Sequence, residues 1–368
     1  MQKQGEGSVN EPINREPKPQ TLIANFLTPI GDACYDRNHG PILHLSIENH
    51  RVVVDGLVAQ ALNLSMTELK ENFSQHTVTC ALQCAGNRRH SMRTRIKEVQ
   101  GIDWFDAAIL NAQWTGPLLR DILIRAGVQD GQNTDLHVHL ASTRTKVQDD
   151  EWYGSSIPLA MALDEGREAV LALKMNGEPL PGNHGFPVRA IIPGIIGARS
   201  VKWIDRITVA ETETSNFYQQ RDYKVLPPDA TDTESAAKFW ETVPPMMENV
   251  INSVVIVPND DDTIERSDEG TITIKGYAVP QGEHGPVVKV EVSCDDGASW
   301  TEARLGFKQK WSWVLWEAVV RVDPGDGVRI FSRATDEGGN SQTEHRSRWN
   351  LRGVGYNGYE SRTGVKIL

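Results

Sequence analysis

The sequence predicts an α+β domain followed by an all-β sandwich. Three observations carry that prediction. Between about residues 40 and 225 helix and strand patterns interleave, from residue 253 onward only short alternating runs remain, and a proline-punctuated stretch separates the two textures. In the first part, LHLSIENHRVVVDGLV (43–58) alternates as two strands around a turn at Asn49-His50. Ser65 followed by Glu68 forms a capping box for a short helix. TGPLLRDILIRAG (115–127) predicts a helix opening at Thr115 and Pro117 and stopping at Gly127, and SIPLAMALDEG one capped by Ser156 with Pro158 in its first turn.

The divider is LPPDATDTESAAKFWETVPPMMENVIN (226–252), whose two Pro-Pro pairs do not build regular elements. Trp240 and Met246–Met247 need cover, so a packed connector is expected rather than a free tether. After it come SVVIVPND, TITIKGYAV, VVKVEVSCDDGASW, WSWVLWEAVV and VRIFSRATDEGGN, separated by Gly/Asp/Asn turns, the spacing of a sandwich. The expected division is a mobile arm over 1–20, a first domain over 21–240 and a second over 241–368.

With 368 residues, 39% hydrophobic and 24% charged, the chain has the composition of a globular protein with sizeable cores. A net charge of −11 argues against nucleic acid or an anionic membrane as partner. Any anion site must be a local cluster of cations. Four cysteines, Cys34, Cys80, Cys84 and Cys294, are too few and too scattered for a disulfide framework, which points to an intracellular, reducing compartment. No run reaches the length of a membrane span, and the first residues carry neither a secretory core nor a twin arginine. The terminal Lys-Ile-Leu faintly echoes a peroxisomal address, so cytoplasm and peroxisome are the expected compartments.

Chemistry concentrates in a few stretches. TVTCALQCAGNRRH (77–90) sets Cys84 beside Arg88 and Arg89; nearby cations favour the thiolate, the form that attacks electrophiles or binds metals. On a strand, Cys80 and Cys84 share one face, with Cys84 at the strand end where it can meet a cavity. A second Cys/His pair of zinc-site spacing does not accompany them. NHGFPVRAIIPGIIGARSVKW (183–203) combines His184, Arg189, Arg199 and Lys202 with three glycines, which suits either an oxyanion site or a glycine-punctuated hairpin with solvated charges. Neither a Walker loop nor a dinucleotide fingerprint is present. CYDRNHGPIL (34–43), RDYK (221–224) and RWNLRG (348–353) each add an arginine, and taken singly read as ordinary loop or surface.

Together, LQCAGNRR, RNHGP, HGFPVR, PGIIGARSVKW, RDYK and NLRG stand in the order and spacing seen in sulfite oxidases, so the chain resembles that family from about residue 33 to 355. The resemblance implies a mixed α/β molybdenum-cofactor domain followed by an immunoglobulin-like β-sandwich that mediates a homodimer. It also implies a single-pterin molybdenum cofactor with Cys84 as the protein's ligand to the metal. The cofactor contacts carried over are Tyr35, Asp36, Arg37, Asn38, His39, Thr143, His184, Arg189, Ser200, Val201 and Lys202. Arg37, Arg89 and Arg352 would form the sulfite pocket, with Tyr223 hydrogen-bonding at the substrate position. Arg352 and Tyr223 favour sulfite oxidation over the related nitrate reductases. The layout is similar to that of plant-type members, without a haem domain, which implies dioxygen or a soluble carrier as electron acceptor. Departures are Thr143, where relatives carry an aspartate, and Gln220 before Arg221.

Overall fold

The computed structural model describes residues 7–128, 135–342 and 348–368. The first half is built on two sheets. One runs in the order Leu62–Ser65, Arg51–Gly56, Arg206–Ala210, His137–Ser142, Tyr153–Pro158, with Arg51–Gly56 and Arg206–Ala210 parallel and the other pairs antiparallel. Its apolar face and the helices Met66–Glu71, Leu119–Arg125 and Leu159–Leu163 enclose one core that includes Val52, Leu69, Ile122 and Ile207. The second sheet pairs Gln75–Gln83 with Ile109–Pro117 in an unbroken antiparallel register, with two short strands beyond. Around it lies a second core containing Cys80, Trp114 and Ile191.

The later half is two stacked sheets. Asn252–Val257, Thr271–Val279, Val314–Arg321 and Arg304–Leu305 form one; Thr263–Ile264, Glu360–Ile367, Gly325–Asp336, Val287–Ser293 and Thr301–Glu302 form the other. Alternate residues such as Ile272, Ile274, Val290 and Val292 fill the space between them. A further cluster joins the halves: Leu22, Ala81 and Ile109 pack with Val254, Tyr277 and Trp313. The Trp313 indole also donates to the Phe26 carbonyl at 2.8 Å. Removing a fully buried tryptophan costs roughly 3–5 kcal/mol, so the two halves are firmly coupled. No helix among the described residues is long and apolar enough to cross a membrane.

Several local expectations meet tertiary overrides. The capping box at Ser65 is present, with Glu68 reaching back to the Ser65 amide at 2.8 Å. Of 43–58 only Arg51–Gly56 is a strand, because no strand among the described residues pairs with the residues before Asn49. Thr115 and Pro117 end a strand, and the helix starts only at Leu119, although Gly127 stops it with φ +83°. Ser156 and Pro158 likewise belong to a strand; the Ser156 hydroxyl accepts from the Thr214 amide instead of capping a helix. Arg189–Ile191 pairs with Val170–Ala172, while the Ala190 amide bonds the Val201 carbonyl at 2.9 Å, folding 183–203 back on itself.

The expected mobile arm is held down over its described part. Asn14–Arg15 pairs with Asp36–Arg37, Arg15 binds Asp36 and Asp32, and Glu16 accepts from the Phe105 and Ala107 amides. Polar side chains that read as solvated in the sequence find partners only after the chain folds. The connector is packed as expected: Leu226, Ala230 and Ala236 cluster with Leu351 against Phe239 and Trp240.

Candidate active site

Gln75–Gln83 delivers Cys84 to the floor of a cleft. The Cys84 amide is pinned to the Ala108 carbonyl at 2.9 Å, while Cys80 stays in the core beneath. Burial raises the Cys84 thiol's pKa, against the pull of Arg89 and Arg37. Among the described residues no group of three His, Cys, Asp or Glu side chains could hold a metal. A metal at this thiolate would therefore draw its remaining ligands from a cofactor, and a soft sulfur donor suits a thiophilic metal.

The cleft wall beyond Cys84 carries Tyr35, Arg37, Asn38, His39, His184, Arg189, Ser200 and Lys202. Arg189 donates to the carbonyls of His184 and Ser200 at 3.1 and 2.9 Å, and Lys202 to Asn183 at 2.9 Å and to Asn38. Three buried polar atoms here lack a partner: Ser142 Oγ, His184 Nε2 and Arg189 Nε. Leaving such a group unmet costs about 1–3 kcal/mol each, so a polar ligand with acceptors is the natural complement. Burial, then Arg189, pushes Lys202 down to about 7, and burial with Lys202 and Arg189 keeps His184 neutral. This donor set fits the phosphate and pterin edge of a molybdenum cofactor.

Around Cys84 the structure gathers the arginines. Arg89 opens the short helix Arg89–Arg95 and donates to the carbonyls of Ile102 (2.8 Å) and Arg352 (3.0 Å). Its guanidinium passes so close to Gly86 that a Cβ there would sit 2.5 Å from Cζ, and one at Gly353 would sit 2.7 Å from Arg89 Cγ. The segment 349–355 returns from the second half to this place: the Gly355 amide bonds the Ala85 carbonyl at 2.8 Å, and Arg352 pairs with Asp222. Arg37 and Arg89 both feel Cys84, Asp222 and Tyr223 as charge neighbours.

Tyr223 follows the π-helical turn Tyr218–Asp222, a conformation frequent at functional sites. Arg199, buried and one of the cations read as site candidates, is instead the clamp for this turn. It binds Gln219 Oε1 (2.7 Å) and the carbonyls of Tyr218, Tyr223 and Met246. The Tyr223 hydroxyl lies 2.7 Å from His39 Nε2, and His39 Nδ1 lies 3.1 Å from Arg37 Nη2.

Five expected site residues do not line the cleft; two of them, Arg89 and Arg352, lie behind the Cys84 end, tied to carbonyls and to Asp222. Thr143 turns to Asp205, its hydroxyl donating at 2.8 Å, because strand alternation sends its neighbour Ser142 inward. Asp36 is occupied by Arg15 and Asn183. Val201 packs in the core between Ser200 and Lys202, which do face the cleft. Sequence reasoning passed over Ser142, Tyr153, Asp222 and Asn14. Asp222 sits inside RDYK, and its acidity among arginines was the available signal.

Known proteins share this architecture. The family profile of the oxidoreductase molybdopterin-binding domain matches residues 39–218, and that of the Mo-co oxidoreductase dimerisation domain matches 244–364. Human mitochondrial sulfite oxidase is 41% identical over 93% of this chain, which spans 62% of that protein's length. Sulfite oxidase of Arabidopsis thaliana is 36% identical over 94% of the chain and 90% of the relative. The sulfane dehydrogenase SoxCD of Paracoccus pantotrophus superposes with a TM-score of 0.78 at 24% identity, over 100% of this chain and 90% of that one. With a plant relative matched along nearly its whole length and the cysteine–arginine cleft in place, the chain belongs to the sulfite oxidase family.

Proposed function

We propose that this chain oxidises sulfite to sulfate with a molybdenum cofactor held by Cys84 and by the His184–Arg189–Lys202 end of the cleft. The single observation that carries this reading is the approach of Arg37, Arg89 and Tyr223 to one buried thiol, with Arg352 beside Arg89 and paired to Asp222, next to a wall of partnerless donors. Ser200 and Asn38 would add contacts to the pterin edge. When bound, the cofactor supplies the oxygen atom and accepts the two electrons of the oxidation.

The protein's part is electrostatic. An oxyanion beside Cys84 meets guanidinium groups already oriented by protein carbonyls, so little reorganisation accompanies binding. Hydrogen bonding fixes the tautomer of His39. Arg37 can only donate, so Nδ1 accepts; Nε2 therefore carries the proton and donates to the Tyr223 oxygen. Burial holds His39 neutral and Tyr223 protonated. The phenol keeps its own proton free to give to the anion, so Tyr223 acts as a donor and not as a base.

The two-sheet second half is read as an immunoglobulin-like sandwich that joins two copies of the chain. Its support is the dimerisation-domain match and the stacked four- and five-stranded sheets. Electrons pass to dioxygen or to a soluble carrier. Steady-state turnover of molybdenum-loaded protein with sulfite, nitrate and dimethyl sulfoxide tests the reading. Sulfite turnover with peroxide or reduced carrier as the second product is expected. Nitrate reduction without sulfite oxidation would reverse it.

A further inference from the structure

The segment before residue 39 lies outside the matched cofactor-binding stretch, yet it touches the site from two directions. Arg37 spends its Nη1 donors on the Asn38 carbonyl and on Asn14 Oδ1 (3.2 Å), and one Nη2 donor on His39 Nδ1 (3.1 Å). Asn38 and His39 belong to Arg37's own loop and move with it. Among the described residues, Asn14 is the acceptor that holds this guanidinium from a separate segment. The same Asn14 oxygen accepts from the Asn38 amide at 3.1 Å, and Asn38 Nδ2 donates to the Ile13 carbonyl at 2.8 Å. Asn38 is 2% exposed, so its amide has no water to fall back on.

The strap is itself anchored at both sides of the cleft. Arg15 grips Asp36 at 2.9 Å and Asp32 at 2.5 Å, next to the loop that carries Arg37. Glu16 crosses to the amides of Phe105 and Ala107, beside Ala108, whose carbonyl holds the Cys84 amide. Residues 13–16 thus span from the Arg37 loop to the support of Cys84.

We propose that Asn14 is a positioning residue for the anion end of the cleft, fixing the Arg37 guanidinium and the Asn38 main chain relative to Cys84. Its committed contacts leave the Arg37 Nε–H and the second Nη2–H for the substrate, since neither has a partner among the described residues. The proposal rests on the reading of Arg37 as an oxyanion ligand.

The test uses the full chain, molybdenum-loaded for kinetics, with sulfate binding measured by calorimetry as a readout apart from turnover. Asn14→Ala should raise the sulfite KM and the sulfate Kd together by roughly tenfold, the worth of one hydrogen bond to a charged group. Molybdenum content and kcat should stay within about twofold. Because Asn14 acts through Arg37, the Asn14→Ala/Arg37→Gln double variant should be no weaker than Arg37→Gln alone. Asn14→Ser, which keeps an oxygen acceptor on a shorter arm, should give an intermediate KM and serves if the alanine variant does not fold. Wild-type KM and Kd in both Asn14 variants, or penalties that add in the double variant, would overturn the proposal. An unchanged KM in Arg37→Gln would overturn the functional reading, and the proposal with it.

Discussion

The two cationic ends of the cleft differ in how burial treats their charge. At the Cys84 end the guanidinium groups are tied to oxygens before any ligand arrives: Arg89 to two carbonyls, Arg352 to Asp222, Arg37 to Asn14 and Asn38. Burial lowers the Arg89 pKa and opposes the charge on Arg37 too, yet Tyr223, Cys84 and Asp222 carry that of Arg37 above the ordinary value. At the other end burial wins. Lys202 falls to about 7, Arg189 to about 10, and His184 stays neutral with its Nε2 unmet. One end is charged and ready for an anion that comes and goes with each turnover. The other waits for a resident group to complete its hydrogen bonds. Both ends hold their cations on protein oxygens, Arg189 on two carbonyls and Lys202 on Asn183 and Asn38. Both keep an unmet donor, Arg352 Nε at one and Arg189 Nε at the other, so charge rather than pre-orientation separates them.

The sharpest break of this contrast is Cys84→Ser, which removes the soft ligand between the two ends. We expect a folded protein whose activity falls by at least about 10²–10³-fold, the scale of losing one key stabilising group, with molybdenum measured by elemental analysis. Unimpaired turnover would remove the thiolate from the mechanism. Next come the ends themselves. Arg89→Gln or Arg352→Gln should raise the sulfite KM by an amount equivalent to ~1.5–3 kcal/mol at unchanged molybdenum content. Lys202→Met should do the reverse, lowering molybdenum content while the loaded fraction keeps its KM. If both variants shift the same quantity, the division of labour fails.

How much of this was legible beforehand follows from what each feature depends on. Cys84 at a strand end, Arg89 beside it and the β-only second half could be read because they rest on local pattern: period-two alternation, glycine turns and charge next to a thiol. Thr143 was carried over from the family resemblance, which aligns positions but does not tell that its neighbour Ser142 is the one that meets the cleft. The helix openings at Thr115 and Ser156 were misplaced because partner strands claimed those residues. Arg199 looked like a site cation and is a clamp, since only the folded chain reveals that its donors end on Gln219 and three carbonyls. The strap at 13–16 was taken for a free arm for the same reason: its polar side chains meet partners distant in sequence.

The smallest expected effect sets the strap against the cofactor end at the same pH. Burial, reinforced by Asp106 and Asp103 and resisted by the Ala107 and Phe105 amides, lifts the Glu16 carboxyl from 4.5 to about 7. The native state therefore binds this proton more tightly than the unfolded chain. Stability from Glu16 is fully present below pH 4.5 and is lost as pH rises through 7. Lys202 has the opposite sign: its pKa falls from 10.5 to about 7, so its contribution is present above 10.5 and is lost as pH drops through 7. In cofactor-free protein the melting temperature of Glu16→Gln should lose the decline seen between pH 4.5 and 7. Lys202→Met should instead flatten the rise between pH 7 and 10.5. A Glu16→Gln profile parallel to that of the unmodified chain would mean that the carboxyl titrates as in solvent. The strap would then be as loosely held as its sequence suggests, and Asn14 could not serve as a fixed point for Arg37.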